Sequence, residues 1–449
     1  IEYGYDLRNF PIYTLEKDRA GNRFGTQITY DLAGHKLSEI DRYGNETIYT
    51  NDSLGRPTQI TYPETSDGTH SSVRPTYTYT YDLFDNPISV TDPKGRTLAR
   101  SYNVHGKPIE INHINGTKEV FRYDSGGNLH HYYGTDGLLQ VFAYDYKGRL
   151  NKLEHFKRGN KGSNYSFKET TCSYGAFHKT SETDARGEQT TYTYGHSGRL
   201  ASLSKDKQKV EFIYDSLGRT HGVKKWKSAK TFTLDIKEYD LLDRVVEERT
   251  EDQTGKVLLK KRYVYNDTGQ IAQVIGYPQN KESILLKYEY DGFGRLYQVT
   301  NAAGHTSTIE YDDAFVNEWG QRTCKRTLID PIGNQTEEIF DIDGRLIKLT
   351  KTDKSGQILT DSESYYDSLG NQVAQKSLVL SANAPSSAYE TEWTLNQADQ
   401  VESFTLGKGT PEERTLQYEY NSYGDIAAKY NHGAKEPITY RYNNEGNLD

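Results

Sequence analysis

The sequence predicts an all-β protein built as one long antiparallel ribbon of β-hairpins. Three observations predict this fold: a short turn motif recurs from end to end, tyrosine alternates with other residues before many of these turns, and the apolar content is low. Hydrophobic residues make up 34% of the 449 residues, and 38 residues are tyrosine. Counted without tyrosine and with glycine, the apolar share stays at about 34%, below the roughly 45–50% of typical globular chains. We therefore expect thin layers instead of a thick core, with tyrosine rings supplying much of the burial.

The recurrent motif is an aromatic residue, Asp or Asn, two variable residues and Gly. Copies include "YDLAGHKL" at 30–37, "YDLFDNPI" at 81–88, "YDYKGRL" at 144–150, "YDSLGRT" at 214–220 and "YNNEGNL" at 442–448. We expect the Asp to begin a turn by accepting a backbone hydrogen bond, and the Gly to adopt the left-handed conformation that returns the chain. The predicted turn residues are Asp31, Gly34, Asp52, Gly55, Asp82, Asp124, Gly127, Asp145, Gly148, Asp215, Gly218, Asp240, Asp291, Gly294, Asp341, Gly344, Asp367 and Gly370.

A second, weaker turn signal lies between successive copies of the motif. It is seen in "TDPKGRT" at 91–97, "TDARGEQ" at 183–189 and "IDPIGNQ" at 329–335. A repeat of about 21 residues then holds two turns and two strands of five or six residues, which is the usual strand length. Each repeat is predicted to be one hairpin.

The strand before each turn is rich in tyrosine. In "TYTYTYD" at 76–82 the period of two places tyrosines on one face of the strand and threonines on the other. If hairpins pair side by side, tyrosines of successive repeats form a ladder across the sheet. The predicted ladder consists of Tyr77, Tyr79, Tyr81, Tyr192, Tyr194, Tyr263, Tyr265, Tyr288, Tyr290, Tyr418, Tyr420, Tyr440 and Tyr442.

These "YDxxGRL" units resemble the YD repeats of the Rhs family, which also occur in the C components of bacterial insecticidal toxin complexes and in teneurins. The resemblance covers essentially the whole chain and rests on some fifteen spaced copies. It implies that the ribbon spirals into a hollow shell, partial or complete, and that the shell of bacterial members encloses a C-terminal toxin. The domain organisation we expect is a single continuous repeat region over 1–449, with inserted loops near 62–75, 155–170 and 380–390.

Two segments are similar to the family's self-cleaving "DPxGL" signature. "DPKGR" begins at Asp92 and "DPIGN" at Asp330, but both lie inside the repeat array and neither has Leu after Gly. We interpret both as ordinary turns, since Pro pre-sets the first corner of a type I turn. No toxin domain is recognisable in the sequence. Because methionine is absent, Ile1 is not expected to be a translation start, and we expect a piece of a longer protein.

The composition disfavours several function classes. A net charge of −8 and a pI near 5.9 provide no basic surface for nucleic acid, and no apolar stretch approaches the roughly 20 residues of a membrane span. Cys172 and Cys324 are far apart, have no metal-binding spacing and are expected to be buried free thiols. We expect no cofactor and no metal site.

No arrangement of residues indicates catalysis. The acidic residues recur mostly at one turn position, which is typical of a structural role, so a polysaccharide-cleaving enzyme with paired carboxylates is the weakest hypothesis. Arginine follows the turn glycine at positions such as Arg56, Arg219 and Arg345, and is expected to pair with the turn Asp at the rim. The alternative interpretation of these arginines is a surface that grips a cargo.

The functional hypothesis is a non-enzymatic shell that encapsulates or presents a partner polypeptide, such as a polymorphic toxin. The partners are then a protein cargo, or other segments of the same precursor that complete the shell. The alternative is a teneurin-like adhesion or carbohydrate-binding module, in which tyrosine rows stack on glycans. The expected location is secreted or at the cell surface, in a bacterium.

Overall fold

The computed structural model describes residues 1–17, 23–66, 72–156, 168–206, 208–278, 281–317, 320–381, 384–443 and 447–448. This part of the chain forms β-strands joined by turns and contains no α-helix. Thirty-seven strands form one sheet, and two short strands form a separate hairpin. The prediction of an all-β ribbon is confirmed.

The strands follow one another along the chain at short intervals. Their bounds are β1 Glu2–Tyr5, β2 Pro11–Lys17, β3 Arg23–Tyr30, β4 Lys36–Ile40, β5 Glu46–Asn51, β6 Pro57–Thr61, β7 Thr65–Ser66, β8 Ser72–Val73, β9 Thr76–Tyr81, β10 Pro87–Thr91, β11 Thr97–Tyr102, β12 Pro108–Asn112, β13 Lys118–Tyr123, β14 Leu129–Tyr133, β15 Leu139–Tyr144, β16 Leu150–Phe156, β17 Lys168–Tyr174, β18 Lys179–Thr183, β19 Gln189–Tyr194, β20 Leu200–Lys205, β21 Gln208–Tyr214, β22 Thr220–Trp226, β23 Phe232–Tyr239, β24 Val245–Asp252, β25 Val257–Tyr265, β26 Ile271–Gly276, β27 Ser283–Tyr290, β28 Leu296–Asn301, β29 Thr306–Asp312, β30 Lys325–Ile329, β31 Gln335–Phe340, β32 Leu346–Thr352, β33 Ile358–Tyr366, β34 Gln372–Ser381, β35 Ala384–Leu395, β36 Val401–Leu406, β37 Arg414–Tyr420, β38 Ile426–Tyr430 and β39 Ile438–Thr439.

Each strand pairs antiparallel with its neighbours in sequence. Successive pairs run from β1 with β2 to β38 with β39. The exception is the small separate hairpin of β7 with β8, so that β6 pairs with β9. Most strands adjacent in sequence are joined by tight turns, such as those at 31–35 and 92–96, so these pairings close locally. The result is a continuous ribbon one sheet thick.

The ribbon has two edges, each a row of turns. We call the row that begins with the aromatic-Asp motif, from residues 6–10 and 31–35 onward, the YD edge. We call the opposite row, which includes the turns at 41–45, 92–96, 184–188, 252–256 and 353–357, the loop edge. At the YD edge the strand register shifts by one residue, as between Ala143 and Tyr144, because the left-handed turn residue forms a bulge that strengthens the local twist.

Very little of the molecule is a buried apolar core. Among the described residues the buried hydrophobic side chains are Phe24, Ile236, Ile275, Tyr365 and Ala428, which are 4–9% exposed. The accessible surface is 27210 Å² for a chain of 51.3 kDa, whereas a compact monomer of that mass exposes about 17,000 Å². The excess means that solvent reaches both faces of the ribbon.

The three expected loop insertions differ from one another. Residues 62–75 contain the β7–β8 hairpin, and 67–71 lie outside the described residues. Most of 155–170 also lies outside them, at 157–167. The expectation for 380–390 is corrected, because β34 and β35, of 10 and 12 residues, extend across most of it. The small polar residues of this segment suggested a loop, but pairing with the neighbouring strand decides strand formation more than intrinsic preference does.

Candidate functional site: the two turn edges and their contact

The turns of the YD edge share one hydrogen-bonding scheme. In the turn at Asp145, the backbone N–H of Asp145 donates to the carbonyl of Arg149, and the N–H of Gly148 donates to the carbonyl of Asp145. Oδ1 of Asp145 accepts the backbone N–H groups of Lys147 and Arg149 at 2.9 and 3.0 Å. The side chain of Asp145 thus closes the turn that its position in sequence predicts.

All ten predicted turn aspartates occupy this position. Oδ1 of each accepts the backbone N–H four residues on, in Asp31, Asp52, Asp82, Asp124, Asp145, Asp215, Asp240, Asp291, Asp341 and Asp367. The predicted glycines have φ between 74° and 93°, namely Gly34, Gly55, Gly127, Gly148, Gly218, Gly294, Gly344 and Gly370. In three turns Asp85, Asp243 or Asp399 replaces Gly, with φ from 59° to 66°.

The arginine after the turn glycine connects one turn to the next. Nε of Arg219 donates to Oδ2 of Asp215 at 2.7 Å, and its NH1 donates to the carbonyl of Asp240 in the following turn at 3.0 Å. The guanidinium also lies over the ring of Tyr239, with its Cζ 4.8 Å from the ring centre. Arg219 therefore completes its own turn and covers the tyrosine of the next repeat, a favourable cation–π geometry.

Seven other repeats place a cation over the next tyrosine in the same way, 4.0–5.8 Å from the ring centre. They are Arg56 over Tyr81, Lys107 over Tyr123, Arg149 over Tyr174, Arg199 over Tyr214, Arg244 over Tyr265, Arg295 over Tyr311 and Arg345 over Tyr366. His178 stacks on Tyr194 in the corresponding position, 4.4 Å away. Along this edge, each of these tyrosine rings is therefore covered by a cationic or aromatic side chain of the preceding repeat.

The tyrosine before the turn Asp also reaches back across the preceding hairpin. Its hydroxyl donates, at 2.7–3.1 Å, to a backbone carbonyl 14–24 residues earlier. The donor and acceptor pairs are Tyr30 and Pro11, Tyr81 and Pro57, Tyr102 and Pro87, Tyr123 and Pro108, Tyr144 and Leu129, Tyr174 and Leu150, Tyr214 and Leu200, Tyr239 and Thr220, Tyr265 and Val245, Tyr290 and Ile271, Tyr311 and Leu296, Tyr366 and Leu346, Tyr420 and Val401, and Tyr442 and Ile426. This bond explains the preference for tyrosine over phenylalanine at the position.

All thirteen tyrosines of the predicted ladder are half-buried. Five of them, Tyr81, Tyr265, Tyr290, Tyr420 and Tyr442, make the backbone bond described above, and Tyr194 stacks on its histidine. Two more, Tyr192 and Tyr263, donate to glutamates on neighbouring strands, and Tyr77 lies edge to face with Tyr62 at 5.7 Å. Within the ribbon, Tyr79, Tyr288 and Tyr418 face Val90, Val299 and Lys429 of the adjacent strand, and Tyr440 donates its backbone N–H to Ala427.

The ribbon coils so that residues far apart in sequence meet. We call residues 1–290 the first coil and 291–448 the second coil. The loop edge of the first coil lies against the YD edge of the second coil. Nζ of Lys94 is 2.6 Å from Oδ2 of Asp367, and Arg96 makes a bidentate pair with Asp399 at 2.9 and 3.0 Å. NH1 of Arg96 also donates to the carbonyl of Gln397 at 2.7 Å.

The same contact continues on both sides of Lys94. Arg345 NH2 donates to Oγ1 of Thr65 at 2.9 Å, across 280 residues of sequence. Farther along, a Cβ on Gly137 would lie 2.3 Å from the ring of Tyr423, so the two turns are in close contact. Because cations of one edge meet carboxylates and carbonyls of the other, we call this contact the inter-coil seam.

A buried ion pair lies at one end of the seam. Asp313 is 4% exposed and pairs with Arg295 through both carboxylate oxygens at 2.8 Å. Arg42 of the first coil lies 3.8 Å from Asp313 and 4.2 Å from the ring centre of Phe293. Burial raises the pKa of Tyr43, which donates to Asp313, to about 12. The charged groups here hold the two coils together.

Two of the turn carboxyl groups, Asp145 and Asp367, are not suited to donate protons. A side-chain hydrogen bond from Arg149, followed by its backbone N–H, lowers the pKa of Asp145. Burial tends to raise the pKa of Asp367, but hydrogen bonds from Lys94 and Asn371 outweigh it and lower the pKa. Carboxyl groups with lowered pKa values are ionised near neutral pH and act as hydrogen-bond acceptors.

The sequence also led us to expect no metal site, no membrane span and two buried free thiols. Within the described ranges no group of three or more His, Cys, Asp or Glu side chains could hold a metal ion, and no helix is long and apolar enough to cross a membrane. Cys172 and Cys324 are free but only half-buried, so the expectation of full burial is corrected. Both lie in or beside strands of a sheet one layer thick, which cannot cover a side chain from both sides.

Several residues of the seam were missing from the sequence prediction. Lys94 was assigned only to an ordinary turn, Arg96 was expected to pair only with the Asp of its own turn, and Asp313 and Asp399 were not singled out. The turn at Asp92 does form as expected, with Oδ1 accepting the N–H groups of Lys94 and Arg96. The turn at Asp92 differs from an ordinary turn in having cations at the second and fourth positions after the Asp. The sequence shows these cations, but which residues they pair with depends on how the ribbon coils.

Comparison with known proteins agrees with this architecture. Residues 176–318 match the family model described as teneurin YD-shell, which is about a third of the chain. No curated protein matches the sequence. The fold and the repeated turns are similar to those of YD-repeat shell proteins, and the resemblance to the Rhs/YD-repeat family is confirmed over residues 176–318.

A solved structure with a similar fold comes from a toxin complex. The crystal structure of TcdB2-TccC3 without its hypervariable C-terminal region superposes with a TM-score of 0.59 at 12% identity, over 100% of this chain and 26% of that chain. The crystal structure of TcdB2-TccC3 gives a TM-score of 0.33 at 13% identity, over 100% of this chain and 33% of that chain. The Photorhabdus luminescens Tc holotoxin pore gives 0.30 at 12% identity, over 100% and 32%. The chain therefore spans about a quarter of the length of the first of these proteins.

Proposed function

We propose that this chain is part of the wall of a shell that encloses a partner polypeptide and has no enzymatic activity of its own. The observation that carries the proposal is the accessible surface of 27210 Å², which exceeds the roughly 17,000 Å² of a compact monomer. A wall one sheet thick encloses solvent, and this space can hold a second polypeptide.

The chemistry of the wall suits containment. The turn carboxylates have arginine and backbone partners, and the hydroxyls of the YD tyrosines donate to carbonyls. A wall whose polar groups are satisfied offers few strong contacts to an enclosed chain, so the cargo is retained by the barrier itself. The same satisfied carboxylates support a non-enzymatic role.

The cargo we propose is a toxin polypeptide, because the fold matches that of TcdB2-TccC3. The shell would be completed by other segments of the same precursor, and a polymorphic toxin would be secreted or displayed at the cell surface of a bacterium. No nucleic acid partner is proposed for a chain with a net charge of −8.

Cryo-electron microscopy of the protein purified from its natural source, with mass spectrometry of any co-purifying polypeptide, tests the proposal. We expect density for a second polypeptide inside the wall, together with resistance of that polypeptide to added protease. An interior filled by the chain's own side chains would exclude the encapsulating role.

A second candidate is a glycan-binding surface module, as in the teneurin-like alternative. The observation that favours it is a pair of exposed tyrosines on β1, Tyr3 and Tyr5, which are exposed by 57% and 53%. Exposed rings can stack on sugars. A glycan array probed with the protein and with Tyr3→Ala distinguishes the candidates, because an encapsulating wall would show no reproducible binding that depends on this ring.

A further inference from the structure

The connection from β29 to β30 replaces an ordinary turn of the YD edge. Twelve residues, 313–324, separate these two strands, whereas five separate β31 from β32. The connection folds back on itself, because the backbone N–H of Thr323 donates to the carbonyl of Phe315 at 2.9 Å. Asn317 and Thr323 are only 6% and 1% exposed. A connection that is buried and hydrogen-bonded in this way can form one fixed side of a binding site.

The first coil lies against this connection, away from the open ends of the ribbon. The hydroxyl of Tyr43 donates to Asp313 at 3.3 Å, and the side-chain amide of Gln321 donates to the carbonyl of Glu64. These contacts join residues that are 270 and 257 positions apart in sequence. The position of the connection is therefore held by contacts within this chain.

The connection and the strands beside it form a cavity of about 220 Å³. Its apolar lining comes from Phe315 of the connection, Ile339 of β31 and Ile347 of β32. Pockets for drug-sized ligands measure about 300–1,000 Å³, whereas an apolar cavity of about 150 Å³ already holds benzene. The space therefore suits a single ring and not a larger ligand.

The polar lining of the cavity comes from an ion pair on adjacent strands. Lys348 and Glu363 are cross-strand partners, and Nζ of Lys348 donates to Oε1 of Glu363 at 2.7 Å. The hydroxyl of Tyr365 donates to Oε2 at 3.0 Å. The hydrogen bond from Lys348 lowers the pKa of Glu363, so this carboxylate is ionised near neutral pH. Because each carboxylate oxygen can accept more than one hydrogen bond, the site suits a ligand that donates one.

The cavity opens on one face of the sheet. Ile339, Lys348 and Glu363 lie opposite one another on successive strands and so share that face. The side chains of Lys348 and Glu363 are 39% and 38% exposed, so they form the mouth of the cavity. A side chain can enter here while the main chain that carries it lies along the sheet.

We propose that this cavity receives the side chain of a tyrosine or tryptophan of the partner polypeptide. The inference rests on the proposed function, because it identifies a place at which the wall holds the enclosed chain. The ring would pack against Phe315 and the two isoleucines, and its O–H or N–H would donate to Glu363. Aromatic side chains buried in pockets of this kind contribute much of the binding energy of protein interfaces.

Binding of amino-acid amides to the full chain tests the proposal. In saturation-transfer NMR, N-acetyl-tryptophanamide and N-acetyl-tyrosinamide should bind, and N-acetyl-alaninamide should not. Ile347→Trp fills the cavity and should weaken the binding of both aromatic amides at least about tenfold. The matched control is Leu349→Trp, because Leu349 is on the same strand but does not line the cavity, and this variant should bind as wild type does. Equal binding by all three proteins would overturn the proposal.

Glu363→Gln tests the polar part of the site and leaves the cavity open. It should weaken the binding of the tryptophan and tyrosine amides about tenfold, because a hydrogen bond to a charged acceptor is lost. The affinity for N-acetyl-phenylalaninamide, whose ring carries no donor, should change by less than about twofold. An equal loss for all three amides would contradict the role given to Glu363.

Two further measurements identify the source of the ring. Free indole that binds as tightly as N-acetyl-tryptophanamide would overturn the polypeptide as occupant and indicate a small aromatic molecule. In the natural assembly, a photo-crosslinking residue in place of Thr350, two residues from Lys348 on the same face of β32, should attach to the partner polypeptide beside a tyrosine or tryptophan. If the assembly contains a second polypeptide that does not crosslink there, the proposed function stands and this inference fails.

Discussion

The ammonium nitrogen of Lys94 lies 2.6 Å from Oδ2 of Asp367, although 273 residues separate the two in sequence. This pair joins the loop edge of the first coil to the YD edge of the second coil. Asp367 is 6% exposed, so its carboxylate depends on Lys94 and on the hydrogen bonds of its own turn. The seam is therefore the point at which a ribbon of local hairpins becomes a coiled wall.

Lys94→Ala should open this part of the seam. The substitution leaves a buried carboxylate without its cation, which typically costs about 1–3 kcal/mol. Hydrogen exchange of the turns at 92–96 and 367–371 should accelerate by an amount that corresponds to this range. Lys152→Ala is the control, since the side chains of its partners Glu154 and Glu169 are 23% and 45% exposed, and a salt bridge to partners in contact with solvent contributes less than about 1 kcal/mol. Equal effects of the two substitutions would contradict the role given to Lys94.

Acid should release the same contact. The pKa of Asp367 is lowered from its ordinary value of 3.8. A group with a lowered folded-state pKa contributes its full stabilisation above the unfolded-state value and loses it as the pH falls through the folded-state value. We expect hydrogen exchange at the seam to accelerate only below about pH 3.8, with Asp367→Asn flattening this dependence. A seam that opens when the pH is raised from 4 to 7 would contradict this prediction.

Tyr290→Phe should weaken the link between neighbouring hairpins. The hydroxyl donates to the carbonyl of Ile271 at 2.9 Å, and its loss leaves a carbonyl without that donor. The expected cost is about 0.5–1.5 kcal/mol in the free energy of unfolding, measured by urea denaturation. Tyr3→Phe is the control, because the ring of Tyr3 is 57% exposed and the change should be close to neutral. A neutral result at both positions would show that the ring alone matters.

Gly344→Ala should strain the turn at 341–345. Gly344 has φ of 76° and nothing within 4 Å of a new Cβ, so the cost is one of backbone conformation, about 1–2 kcal/mol. Gly344→Asp should cost less, because Asp85, Asp243 and Asp399 occupy the same position with φ from 59° to 66°. Gly175→Ala is the control, with ordinary φ and an ordinary contact at 3.5 Å. An Asp variant less stable than the Ala variant in urea would contradict this explanation.

The sequence predicted the local features because these are encoded within about ten residues. Asp145 and Gly148 form a turn through their own backbone groups, and the alternation in "TYTYTY" places tyrosines on one face. The prediction did not include the bond from each tyrosine hydroxyl to the preceding hairpin, since it assigned the rings to stacking. The position of Arg219 indicated an ion pair, but not the contact with Tyr239.

The pairs across the seam could not be predicted from the sequence. Which turn meets Lys94 depends on the twist accumulated over many strands, and a small change in twist per strand would bring a different turn to it. Segment 380–390 was misassigned for a related reason, because its strands are stabilised by their neighbours and not by their own composition. Long-range contacts of a coiled ribbon therefore need the structure, whereas its turns do not.

Small-angle X-ray scattering of the dilute chain tests the central claim most directly. A solid domain of 449 residues has a radius of gyration of about 22 Å. A wall one sheet thick around solvent places its mass farther from the centre, so we predict a distinctly larger radius of gyration and a pair-distance distribution shifted to long distances. A radius near 22 Å with the distribution of a filled sphere would contradict the hollow wall.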